Sequence, residues 1–153
     1  MNFGLNISKD ISQKLFHTIE ALSRKQLRLG FDDPEVARIA AINETGSPMH
    51  NLPARPILGP GVEKASPKII KELSKGAAKS IARFNTAPMQ EAWEKAGEAA
   101  VAEARAIIDD GSILAPLAES TLEARRRRGN SDTTPRYDTG ETYEKLKYYV
   151  EDK

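Results

Sequence analysis

The sequence has no cysteine, only two histidines and one tryptophan in 153 residues, and its aromatics amount to 6%. Without cysteine there can be no disulfide and no thiolate ligand for a metal. His17 and His50 fall in no metal-ligand or nucleophile motif, and no glycine-rich loop is spaced to cradle phosphate. Glu44 and His50, six residues apart in a polar stretch, specify no metal geometry, and Asp109–Asp110 read as the exposed end of a helix. The expectation is a protein that is not an enzyme and carries no cofactor and no metal. No apolar run approaches the roughly 20 residues that cross a bilayer, so no membrane role is expected. The opening "MNFGLNISKDIS" lacks the basic and apolar blocks of a signal peptide, which leads to an expectation of cytoplasmic synthesis and residence. An excess of either charge is lacking as well. Twenty-three lysines and arginines face 22 acids, for a net charge of +1, so binding to nucleic acid would have to come from a local patch.

What is present is 39% hydrophobic and 29% charged residues, the composition of one globular domain spanning residues 1–153. Ile11, Leu15, Ile19 and Leu22 recur at helical spacing between Asp10 and Leu22. "QLRLGF" alternates with Leu27, Leu29 and Phe31 on one side, which predicts a half-buried strand. In "DDPEVARIAAINETG", Asp33 and Pro34 fit a helix start, while Val36, Ile39 and Ile42 also suit a strand; residues 36–43 stay open between the two. Residues 43–65 then read as a long loop, stiffened by Pro48, Pro53, Pro56 and Pro60.

Ser66 followed by Pro67 reads as a helix start, with a helix running to about Phe84 and an apolar face of Ile70, Leu73, Ala77, Ile81 and Phe84. A second helix runs from Thr86 and Pro88 to about Asp109 and buries Met89, Trp93, Ala96, Ala100, Ala104 and Ile107. Gly76 and Gly97 inside these helices point to close approach. Gly111 suits a left-handed cap, and a short helix follows from Leu117 to Arg127. Residues 128–140 have almost no apolar content and read as a second long loop, mobile unless bound. "KLKYYVE" alternates and predicts a terminal strand. The fold class is therefore α+β: a small antiparallel sheet with two long helices and long loops packed on it or extending from it.

Two charged features stand out. Lys68, Lys71, Lys75, Lys79 and Arg83 form a basic stripe, either a solvated helix face or a surface for acids such as Glu91, Glu94 and Glu98 on a neighbouring copy. Arg125, Arg126, Arg127 and Arg128 are four guanidinium forks, suited to phosphates or carboxylates, or simply a solvated helix end.

Three phrases together resemble a known family. "AAINETGSPMHNLPARPIL", "APLAESTLEARRRRG" and "YDTGETYEKLKYYV" are similar, in that order, to segments of tailed-phage neck and tail-completion proteins, the head–tail connectors. The likeness extends over about Gln26 to Val150, with Thr45 and Ile57 where the family favours aromatics and Tyr143 where it favours leucine. The resemblance implies a small α+β virion protein with no catalysis and no cofactor. It implies assembly in the host cytoplasm as a homo-oligomeric ring in the bacteriophage neck, between portal or head-completion proteins and tail-terminator or tail-tube proteins. Genomic DNA would pass without sequence recognition. Within that frame Leu52, Pro53, Arg55, Pro56, Ile57 and Leu58 are expected at a subunit or partner interface, prolines limiting the entropy lost and apolar side chains supplying area. Asp138, Thr139 and Gly140 are expected to form a structural turn. The alternative reading is a small nucleic-acid-binding protein using Arg125–Arg128.

Overall fold

The two alternating segments pair with one another, although some 120 residues separate them. In a computed structural model, which describes the backbone of residues 3–136 and 138–153 and side chains from Asp10 onward, β1 (Lys25–Gly30) and β2 (Lys147–Asp152) form an antiparallel two-stranded sheet. Leu27 lies opposite Val150 and Leu29 opposite Tyr148, so the apolar residues of both strands share a face. On the other face Arg28 and Gln26 both donate to Glu151 Oε1, at 2.8 and 3.2 Å. A lone two-stranded sheet is marginal in water, so helices must cover it.

The elements run α1 (Phe3–Ser23), β1, α2 (Pro34–Thr45), a 3₁₀ turn (Pro48–His50), α3 (Leu58–Arg83), α4 (Ala87–Asp110), α5 (Glu119–Arg127), α6 (Glu141–Glu144) and β2. The architecture is α+β, with the long α3 and α4 packed against the sheet. Residues 36–43, open between helix and strand in the sequence, are helical. Asp33 caps that helix by accepting from the amides of Glu35 and Val36, and Pro34 occupies the first turn.

The α3 boundary and face differ from expectation. The helix starts at Leu58, eight residues before Ser66, so the loop read over 43–65 shrinks to the span between α2 and α3. Pro67 lies inside α3 on its solvent side, where it removes the amide partner of the carbonyl of Glu63, itself an exposed residue. The inward face consists of Gly61, Ala65, Gly76 and Ser80, while Ile70, Ile81 and Phe84 are exposed. Close helix approach decides this. A Cβ on Gly76 would lie 2.3 Å from Ala92 Cβ, and one on Gly61 would lie 2.7 Å from Ala104 Cβ. At these two points of the α3–α4 seam only glycine fits. Gly97 likewise lets α4 approach Tyr148 of β2, whose ring a Cβ would meet at 2.3 Å.

Two apolar clusters result. Ala65, Ala99 and Ala100 join Leu29 and Ile69 between the long helices and the sheet. Ile57, Ile107, Ile108 and Leu114 gather at the other end of α4, with Leu58 and Tyr143 against them. Arg105 of α4 holds the start of β2 by donating to the carbonyls of Tyr143 and Leu146, at 3.1 and 3.3 Å. Lys145 and Lys147 pair with Asp33 and Asp32 at 2.8 Å each, tying that strand to the start of α2.

Candidate functional site

The proline-rich segment is fixed at both ends by its own backbone. Gly46 takes φ +73° after α2, and a Cβ there would fall 2.7 Å from the Leu52 carbonyl and 2.8 Å from the Ala54 amide, so glycine is required. Ser47 and Leu52 exchange backbone hydrogen bonds of 2.8 and 3.0 Å around the 3₁₀ turn. The tip projects Met49, 93% exposed, and Leu52, 45% exposed, with Pro53 beside them. The chain then turns inward as the Arg55 amide donates to the Asn43 carbonyl at 2.6 Å.

The six residues expected at an interface therefore divide. Leu52 and Pro53 face solvent. Ile57 has no exposed surface and packs in the protomer's own core, which corrects its expected place between subunits. Arg55 is buried too. Its Nε and Nη2 donate to the carbonyls of Ala115 and Pro116, at 2.6 and 2.7 Å, closing the segment onto the chain after α4. Pro56 and Leu58 are half-buried between these anchors.

Glu44, at the end of α2, supplies the cap that Ser66 was expected to give. Its Oε1 and Oε2 accept from the amides of Ile57 and Leu58 at 2.9 and 3.2 Å, placing a carboxylate on the N-terminus of α3. Arg136 reaches the same carboxylate, with Nη1 3.6 Å from Glu44 Oε1 and 3.4 Å from the Arg55 carbonyl. Its backbone is held at φ +67°, a strained conformation for a residue with a side chain. Burial lowers the Arg136 pKa more than the Glu44 charge restores it, and the Arg55 charge adds to the lowering. Arg55 is lowered as well, by burial and by the charge of Arg125.

Arg125–Arg128 do not form a row of free cations. Arg125 is 3% exposed, and its Nη1 donates to the carbonyls of Asp132 and Thr134 at 3.0 and 2.9 Å. Its Nε lies 3.6 Å from Asp138 Oδ1. Arg126 pairs with Glu119 at 2.8 Å, Arg127 with Glu123 at 3.6 Å and Arg128 with Asp138 at 2.9 Å. These contacts tie the described part of the 128–140 loop to α5, where mobility was expected. Burial alone would raise the Asp138 pKa, but the Arg128 hydrogen bond and the charges of Arg125 and Arg128 hold it below the usual carboxylate range. Thr139 Oγ1 accepts from the Glu141 amide at 3.4 Å and Gly140 takes φ +82° ahead of α6, while Asp138 serves the arginines and Asn130. Tyr137, which opens the "YDTG" phrase, and Met1 and Asn2 lie outside the described residues.

Asp138, Thr139 and Gly140 lie at an open cleft of about 650 Å³. Arg55, Arg125 and Arg136 line it, between apolar walls that include Val36, Ile39, Leu52, Pro53 and Leu117. Its location was legible only in part. Arg136 stood unremarked in a polar stretch, Glu44 was weighed only as a metal partner for His50, and Arg125 looked like its three neighbours. A nonlocal pairing leaves no periodic trace, and only the unusual Glu-Thr-Gly after an apolar helix could have marked Glu44.

The lysine stripe lies along exposed α3, where Lys68, Lys71, Lys75 and Lys79 all face solvent. The acids weighed as belonging to a neighbouring copy lie on α4 of the same hairpin. Glu91 is held below the ordinary range chiefly by its hydrogen bond with Lys95, with smaller contributions from Lys79 and Lys75. Among the described residues no group of three or more histidines, cysteines and acids could hold a metal ion, and no helix is long and apolar enough to cross a membrane. No protein-family model matches the chain, and no curated protein or solved structure is significantly similar to it.

Proposed function

We propose that this chain is a structural adaptor of the bacteriophage neck, assembling as a homo-oligomeric ring between the portal or head-completion complex and the tail. The observation that carries the reading is the convergence of the three resembling phrases. The first contributes Leu52, Pro53 and Arg55, the second Arg125, and the third Asp138 and Gly140, all around one cleft. Segments with a shared structural task are expected to keep their order and residue types together. The exposed tip at Met49 and Leu52 supplies apolar surface on a backbone already fixed, which limits the entropy lost on association.

The alternative, nucleic-acid binding through Arg125–Arg128, is less well supported. One of those guanidinium groups is buried and the other three are paired with acids. The near-neutral chain has little excess charge for releasing counterions from DNA. Native mass spectrometry of the chain with connector components tests the proposal. A complex containing several copies supports it, whereas a chain that stays at 16.8 kDa with every component opposes it.

A further inference from the structure

Three guanidinium groups lie at the cleft, and their carboxylates are already engaged. Glu44 accepts from two amides at the head of α3, and Asp138 accepts from Arg128 and Asn130. The donors are not all matched. Arg136 has a side chain 1% exposed, yet its Nε and Nη2 meet no hydrogen-bond partner among the described residues. Arg125 Nε is in the same condition, with Asp138 beyond hydrogen-bond reach at 3.6 Å. Counting Arg55, Arg125, Arg136 and the adjoining Arg128 against Glu44, Asp138 and Glu141 leaves one positive charge in excess. Buried donors on a charged group are costly to leave unmet, so a cleft of this kind favours an incoming anion.

The walls narrow the class of anion. Val36, Ile39, Leu52, Pro53, Pro116 and Leu117 surround the arginines with apolar surface, and Ile39 and Leu52 are exposed at the rim. A nucleic-acid backbone presents closely spaced phosphates and suits an open basic groove, not a single excess charge between apolar walls. A carboxylate flanked by apolar side chains matches both the donors and the walls. We infer that the cleft is a docking site for an acidic segment of a protein partner, in which one glutamate or aspartate carboxylate meets Arg125 and Arg136 while neighbouring apolar side chains cover Leu52 and Ile39. The inference stands on the cleft alone and does not rest on ring assembly.

The full chain, with arginine labelled by ¹⁵N, provides the test through its side-chain Nε–H resonances. The peptide acetyl-Leu-Glu-Leu-amide is expected to shift two buried arginine resonances saturably, with a Kd on the order of 1 mM or tighter. Acetyl-Leu-Gln-Leu-amide is expected to leave them in place. Arg136→Gln should abolish the effect. Because that variant can fail to fold, Leu52→Asp provides a second route: it changes a half-exposed rim residue, places a tethered acid at the mouth, and should weaken peptide binding at least about tenfold. Equal shifts from both peptides, or no shift, would overturn the inference. So would displacement of the same resonances by inorganic phosphate or duplex DNA at lower concentration than by the glutamate peptide, which would assign the cleft to phosphate.

Discussion

Replacing Glu44 by glutamine removes one negative charge and half of the cap on α3, with almost no change in shape. In the native protein the two carboxylate oxygens serve the Ile57 and Leu58 amides and sit beside the buried Arg136 guanidinium. Glutamine keeps one acceptor. Its amide nitrogen faces an N–H donor, and Arg136 loses its nearby counter-charge. Breaking a buried pair from one side costs about 3–5 kcal/mol. The 3.6 Å separation and the remaining acceptor place Glu44→Gln near the lower end, at about 3 kcal/mol. For a chain of this length that corresponds to a fall in Tm of about 6–12 °C. Urea unfolding followed by circular dichroism gives the difference directly, with Glu119→Gln as control. Glu119 pairs with Arg126 on the surface, where such pairs contribute less than about 1 kcal/mol. A second comparison isolates the charge: Glu44→Gln in an Arg136→Met background should cost less than Glu44→Gln alone, since no buried cation is then stranded. If Glu44→Gln is no more destabilising than Glu119→Gln, the cap and the buried pair do not hold α3 in the way described.

Gly46→Ala should destabilise by about 1 kcal/mol or more, because alanine at positive φ would also press on the Leu52 carbonyl; thermal melting measures it. Leu52→Asp should leave the circular dichroism spectrum unchanged and block incorporation into particles, while Ile57→Asp should unfold the monomer, since it buries a charge in the Ile107–Leu114 cluster. Asp33 has a folded pKa below its unfolded value, first through the Lys145 hydrogen bond and then through the Val36 amide. Its contribution is present above the unfolded pKa near 4 and disappears as pH falls through the folded value, so Asp33→Asn should flatten that part of the stability profile in acid titrations followed by circular dichroism. DNA binding in mobility-shift titrations should be weak, indifferent to sequence and lost near physiological salt; tight, salt-resistant binding to one sequence would favour the nucleic-acid reading.

How far the sequence revealed the fold depended on how local each signal was. The strands announced themselves through Leu27, Leu29, Tyr148 and Val150, whose alternation needs only neighbours. Helix α4 was legible from its alanines and from Gly111, which takes φ +62° as a left-handed cap. The start of α3 was not, because Ser66–Pro67 imitates a helix start while the real cap arrives from Glu44, 13 residues before Ile57. The face of α3 was misjudged for a related reason. Large apolar residues usually mark the inside, but here the closeness of α4 reserves that side for Gly61, Ala65, Gly76 and Ser80. The cleft was the least visible part. Arg125 carries the same letter as three surface neighbours, and burial distinguishes it only once the 128–140 loop closes over it.

Cryo-electron microscopy of assembled necks containing this chain tests the ring proposal most directly. The expected result is a closed ring of identical copies around the DNA channel, with Met49 and Leu52 of each copy against a neighbouring subunit. A single asymmetric copy, or necks that form completely without the chain, would contradict it.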